Sequence, residues 1–316
     1  MAEKTNEPHV SLINSLTKFV LTGRSLLEIA QGEVESGALQ DFIRNKISIE
    51  RPKSLLGLIE AGAELYRSLC VKKRKEAEAL WSSKFRHAEV QEAVDSLLQL
   101  GTEWDAFLER LDLRLQLKDD TGGQTINING SLPADTAFTD ARTGEAVSLG
   151  KYFGRGTKTL LVVIRQFSCL LCRLHLKEVQ AHQGDLDQLS VRVVVVSFGC
   201  QEGAHHWLEE TGCSYDMLLD PQRKVYAAFG FGVSLFKVLG FNNILRYSEF
   251  ILDNYEFPRP LPAIQEDMFQ LGGDVLLDDA GKVLYSHSCT SPLDRPGVEH
   301  ILLAIRSTTH SEATKG

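Results

Sequence analysis

Cysteine is scarce in this chain: six among 316 residues, at Cys70, Cys169, Cys172, Cys200, Cys213 and Cys289. Four of them have no near neighbour in sequence, which excludes a disulfide scaffold and points to a reducing, cytoplasmic address. Long apolar runs are missing too. No segment approaches the roughly 18 consecutive apolar residues of a membrane-spanning helix. The opening "MAEKTNEPHV" carries acidic residues where a secretory signal has a basic start and an apolar run, so export is not expected. The triplet Asn129-Gly130-Ser131 should then stay unglycosylated. Basic charge is in deficit, 34 Lys and Arg against 42 Asp and Glu, net -8. That balance leaves no broad surface for neutralising phosphates, so neither nucleic acid nor an anionic membrane is an expected partner. Internal repeats and low-complexity tracts are also lacking.

With 43% apolar and 24% charged residues, the chain can bury a full core, and its length favours about two domains. Residues from about 9 to 117 read as helical. Leu12, Ile13, Leu16, Phe19 and Val20 recur at the three-and-four spacing of one apolar stripe. Pro52 is placed to open a second helical group carrying Leu55, Leu58, Ile59, Leu65, Tyr66 and Leu69. "VKKRKEAEAL" supplies a charged face. A last helix carries Val90, Ala93, Val94, Leu97, Leu98, Leu100, Trp104, Phe107, Leu108 and Leu111. The expected domains are an all-α helical bundle over 1–120, a polar linker over 121–130, an α/β domain over 131–310 and a flexible tail over 311–316.

Past residue 120 the period changes to short apolar runs alternating with helical segments, the mark of a mixed sheet flanked by helices. "AFTDARTGEAVSL" reads as a hairpin turning at Thr143-Gly144, while "TLLVVI" (159–164) and "VRVVVVS" (191–197) read as buried central strands. Helices are expected at about 170–183 and 202–211, then a strand and helix in "MLLDPQRKVYAAFG". "DVLLDDAGKVLYSH" gives two strands joined at Asp279-Ala280-Gly281, before a final helix over 298–305. A redox pair straight after the first central strand, with a terminal hairpin and helix, is the thioredoxin-like order. The stretch from about 231 to 270, rich in Phe and Tyr, is too long for an ordinary connection. A lid over a substrate site and a homodimer contact are alternatives for it; a satellite cluster packed on the domain is the plainer reading. "FPRPLP" reads as a stiff loop rather than a proline-module ligand.

In "VVIRQFSCLLCRLHLKEV" the strand ends near Arg165, and Cys169 stands at the mouth of a helix. Free amide donors and the positive helix end favour thiolate over thiol there, and only the thiolate attacks a disulfide or peroxide. Cys172 lies about one turn on, within reach for a disulfide with Cys169. Ser168 is a candidate helix cap, and Arg165 and Arg173 are candidate sources of positive charge. A zinc site would need a second ligand pair, which the sequence does not supply at ligand spacing, so no metal is expected.

Five stretches, "FSCLLC", "VVVVSFG", "WLEETG", "LLDPQRKVYAAFG" and "GGDVLLDDAGKVLYSH", resemble the peroxiredoxin-like branch of the thioredoxin superfamily, over roughly residues 130–306. The branch is the alkyl hydroperoxide reductase and thiol-specific antioxidant group, with the nearest likeness to the selenoprotein L family and its cysteine homologues. In that family two selenocysteines match Cys169 and Cys172. The resemblance implies reduction of peroxides or other oxidised small molecules, reset by a thioredoxin- or glutathione-type reductant, with no cofactor. It leaves a prostaglandin-type endoperoxide as an alternative substrate. Against the thioredoxin pattern, Phe167-Ser168 replaces the tryptophan, the preceding strand lacks its acidic residue, and Gly272-Gly273 stands in place of the usual proline, which removes a docking edge and is expected to open the site. Typical peroxiredoxins carry threonine three residues before the attacking cysteine, and Cys169 holds that place relative to Cys172. Either cysteine therefore qualifies as attacker; Cys169 is preferred because the helix dipole acts most strongly at the first turn.

Cys200, at the sheet edge after "VVVVSFG", is a candidate extra resolving thiol, although a loop residue is the plainer reading. Cys213, Cys289 and Cys70 have weaker claims. His205-His206 reads as surface; His175 shares the helix of the pair and has only slightly more weight, as a charge neighbour, without being counted among the site residues. The expected function is a thiol oxidoreductase. A redox-sensitive binding protein, with the helical domain as its contact surface, is the rival.

Overall fold

The computed structural model describes residues 8–37, 54–115, 125–261, 264 and 267–313. They form two compact units: one groups 1–116 with Val238–Glu256, the other 117–237 with 257–316. The helix-opening role expected of Pro52 falls outside the described residues.

Among the described residues the first unit holds helices and no strand. Helices α1 (Pro8–Ser36), α2 (Gly57–Ser68), α3 (Arg74–Ser82) and α4 (Ala88–Arg114) follow the expected stripes. Leu12, Leu16, Phe19, Val94, Leu97 and Trp104 are buried as the periodicity requires. Leu98 is the exception: it is 58% exposed, because it lies off the stripe that Val94, Leu97 and Leu100 define.

The stretch expected to be a lid or satellite on the α/β domain contains α9 (Leu235–Leu239) and α10 (Phe241–Leu252). Val238–Glu256 belongs to the helical unit instead. Phe241, Ile244, Leu245 and Tyr247 form the buried side of α10. Helix α10 is held from outside: Asp105 accepts the Phe241 N–H at 2.7 Å, and the Ser248 hydroxyl donates to the Ile59 carbonyl at 2.8 Å. Gly62 and Gly101 permit the approach, since a Cβ would stand 2.3 Å from Ser248 Oγ or 2.8 Å from the Phe241 ring. An amphipathic helix buries its apolar face wherever one is offered, and here the earlier helices offer it.

The second unit is a seven-stranded mixed sheet flanked by helices, with the order β2-β1-β5-β4-β3-β6-β7. Its strands are β1 (Ala137–Asp140), β2 (Ala146–Ser148), β3 (Lys158–Val163), β4 (Val191–Ser197), β5 (Asp216–Leu219), β6 (Gly273–Leu277) and β7 (Val283–Ser288). β3, β4 and β5 run parallel, β6 lies antiparallel against β3, and β7 closes a hairpin with β6. The hairpin at Thr143-Gly144 forms as read, with Gly144 at φ +77°.

Helices α5 (Leu170–Ala181), α6 (Gln183–Gln188), α7 (Gln201–Thr211), α8 (Lys224–Ala228) and α11 (Val298–Ala313) complete the unit, the last reaching beyond the expected end at 305. Both faces of the sheet are covered, which explains the unbroken apolar run of β3. Leu160, Val162 and Ile164 pack with Leu176, Trp207 and Ile301 on one face; Leu161 and Val163 pack with Tyr152, Tyr226 and Phe231 on the other. Among the described residues no helix is long and apolar enough to cross a membrane.

Candidate active site

The turn after β3 ends at Cys169, which is the N-cap of α5: its backbone is extended, and its Sγ accepts the Cys172 N–H at 3.3 Å. The cap is therefore sulfur from Cys169 and not the hydroxyl of Ser168, because α5 starts one residue later than that role requires. Both cysteines are free thiols, 4% and 1% exposed.

Arg165 lies against the pair. Its backbone N–H points to Cys172 Sγ at 3.4 Å and its Nη1 to Cys169 Sγ at 3.6 Å. Its guanidinium is anchored by donation to the carbonyls of Gln270 (2.9 Å) and Met268 (2.5 Å). Arg173 does not serve the sulfurs. It donates to the Phe167 carbonyl at 3.1 Å and pairs with Glu210 at 2.8 Å, so it fastens the turn to α7. Cys200 is exposed at the N-cap of α7.

Three residues complete the site, and two of them, Arg295 and Asp274, were not singled out from the sequence. Arg295, on the loop before α11, reaches Cys172 Sγ with Nη2 at 3.6 Å while donating to the Val163 carbonyl at 2.7 Å and the Gly273 carbonyl at 3.0 Å. Asp274, wholly buried in β6 opposite Val162, accepts from Arg295 Nη1 at 3.0 Å through Oδ2. Its other oxygen lies 2.8 Å from His175 Nε2 on α5. His175 was readable as a charge neighbour from its place on the helix. Asp274 could have been flagged as an acid within the apolar strand GDVLL. Arg295 lies 123 residues from Cys172 and left no local signal.

Gly272 and Gly273 do not open the site. A Cβ on Gly272 would stand 2.2 Å from the Val163 carbonyl oxygen and 2.9 Å from Arg295 Nη2, so the room left by the missing side chain is taken by the guanidinium.

Burial pushes both thiols up, yet their neighbours act unequally. At Cys172 the hydrogen bond from Cys169 and the charges of Arg295 and Arg165 outweigh burial and hold the group well below the ordinary thiol range. At Cys169 burial is reinforced by the hydrogen bond and charge of Cys172, and the thiol moves well above that range. Of the two, Cys172 is the one whose neighbours favour the charged form, the reverse of the preference drawn from the helix dipole. The dipole contributes a fraction of a charge, whereas Arg295 brings a full guanidinium in a nearly dry setting. Burial pushes Cys289 up to about 12, and burial likewise raises Tyr226; each also feels the charge of Cys172. Burial raises the Asp274 carboxyl, but the charges of His175 and Arg295 outweigh it and keep the group below the usual carboxylate range. Among the described residues no group of three or more His, Cys, Asp or Glu side chains is placed to hold a metal.

A parallel β3-α5-β4 core, an antiparallel β6-β7 hairpin, a closing helix and a cysteine pair at the mouth of α5 define a thioredoxin-like domain. Residues 178–291 match the family model described as AhpC/TSA antioxidant enzyme, a segment that starts after the cysteine pair. Peroxiredoxin-like 2C of Homo sapiens is 22% identical over 192 residues, 54% of this chain and 76% of that protein. The Bos taurus protein of the same name is 21% identical over 183 residues, 51% and 72% of the two chains. Similar solved structures include a peroxidoxin from Mycobacterium tuberculosis (16% identity, 58% of this chain and 97% of that one, TM-score 0.41) and a thiol peroxidase from Chromobacterium violaceum (14%, 59% and 90%, TM-score 0.41). Over about half of its length the chain is thus similar to the peroxiredoxin-like 2C proteins, and over residues 178–291 to the AhpC/TSA model.

Proposed function

We propose that this protein is a thiol peroxidase-like enzyme in which Cys172 is the attacking thiolate and Cys169 the resolving thiol. The observation that carries the reading is the convergence of the Arg295 guanidinium and the Arg165 backbone N–H on one sulfur, with Cys169 three residues away. Cys172 thiolate attacks the distal oxygen of a hydroperoxide. The O–O bond breaks, an alcohol or water leaves with a proton, and Cys172 becomes a sulfenic acid. The Cys169 thiol then displaces water from that sulfenic acid and forms the Cys169 to Cys172 disulfide. Two thiols of an external reductant, thioredoxin- or glutathione-type, restore the pair. Both sulfurs are nearly inaccessible, so reduction of the disulfide requires a local movement that exposes them.

Separate serine variants test this on the full chain, with peroxide added and dimedone present to trap sulfenic acid. Cys172→Ser should abolish peroxide consumption. Cys169→Ser should still consume one equivalent and leave a dimedone adduct on Cys172. An adduct on Cys169 in Cys172→Ser would reverse the roles, and no consumption by the wild-type chain with any reductant would leave the redox-sensitive binding role. Comparing hydrogen peroxide, lipid hydroperoxides and an endoperoxide under one reductant separates the substrate classes.

A further inference from the structure

His175 touches neither cysteine in the contacts above, and its hydrogen bond goes to Asp274. That carboxylate is the sole acidic partner of Arg295 among the described contacts, and the pair meets end-on: Arg295 gives Nη1 to Oδ2 and keeps Nη2 for Cys172 Sγ and the Val163 carbonyl. Guanidinium and carboxylate left to themselves prefer the two-pronged arrangement, with two parallel N–H to O bonds. Here the second oxygen is taken by His175 Nε2 at 2.8 Å. Among the described residues His175 is the partner of that oxygen.

We propose that His175 is a positioning residue: by occupying Asp274 Oδ1 it keeps Arg295 from closing both prongs on the carboxylate and so leaves Nη2 aimed at Cys172. The inference rests on Cys172 being the thiolate of the reading above. The three groups come from elements that meet only in the fold: α5 supplies His175, β6 the accepting carboxylate of Asp274, and the loop before α11 Arg295. Without the imidazole the guanidinium turns toward Asp274, and the sulfur loses its strongest cation. The charged and titratable groups facing Cys172 are then Cys169 from its own helix, Arg165 from the turn after β3, Tyr226 from α8, Cys289 from the end of β7, and Arg295 with Asp274 behind it.

The test is the pH profile of iodoacetamide labelling at Cys172, read by peptide fragmentation on the reduced full chain, in wild type, His175→Leu, His175→Gln and the double variant His175→Leu with Asp274→Asn. His175→Leu should raise the labelling midpoint by about one pH unit, about tenfold less thiolate at pH below it. His175→Gln, which keeps an N–H donor for Oδ1, should recover labelling to within about threefold of wild type. The double variant leaves a single acceptor oxygen, forbids the two-pronged pairing and should return the midpoint to wild type or lower; it also serves if His175→Leu does not fold. A folded His175→Leu with an unmoved midpoint, a glutamine variant as impaired as leucine, or a double variant whose midpoint stays high overturns the inference. A wild-type Cys172 that labels only in the ordinary thiol range overturns the thiolate reading itself, which separates the two failures.

Discussion

A thiolate on Cys172 is a charge held almost out of water, and at the residue scale the question is what offsets its desolvation. Arg295 does so while also holding Asp274, the Val163 carbonyl and the Gly273 carbonyl. A lysine carries the charge but not the planar fork, so Arg295→Lys cannot serve all of these at once. Labelling of Cys172 at neutral pH should fall by about tenfold, equivalent to about 1.4 kcal/mol. Arg295→Met should do more, because it leaves Asp274 buried without its cation, at a cost of about 3–5 kcal/mol in denaturant unfolding. A methionine variant as stable as wild type would contradict this pairing. The pH signs follow from the same groups. Cys172 and Asp274 both have folded pKa values below their unfolded ones, so each stabilises the fold above its unfolded pKa and loses that contribution as pH falls through the folded value. Acid titration of stability should therefore be steeper in wild type than in Asp274→Asn.

At the scale of elements, close crossing of helices decides what α10 can do. Gly101→Ala would put a methyl 2.8 Å from the Phe241 ring, and relief requires either the ring or the helix to shift. A loss of about 1–3 kcal/mol in unfolding free energy is expected, with labelling at Cys172 unaffected. Equal stability would mean that α10 yields without cost. The same scale explains what the sequence disclosed. β3 and β4 were legible because strands covered on both faces are unbroken apolar runs, and α4 because its stripe repeats over many turns. The destination of the stretch after Phe231 was not legible, since an apolar helix face reads the same whichever unit covers it. The cysteine pair was visible by spacing alone. Its polarity was not, because Arg295, backed by Asp274, reaches Cys172 only through β6 pairing with β3 and the loop before α11 folding back.

The whole molecule is a chain that enters its helical unit twice, once over 1–116 and again over Val238–Glu256. Removing 1–116 should therefore strand Phe241, Ile244, Leu245 and Tyr247 in solvent, and the shortened protein should aggregate and bind an apolar dye. A monodisperse, dye-free fragment would show that α10 finds cover elsewhere. The reaction, by contrast, is assigned to a handful of side chains at one edge of the mixed sheet. The direct test is brief alkylation of the reduced full-length protein at mildly acidic pH, with the modified sulfur located by fragmentation of the peptide containing Cys169 and Cys172. Modification confined to Cys172 is the expected result; preferential modification of Cys169 would contradict the account.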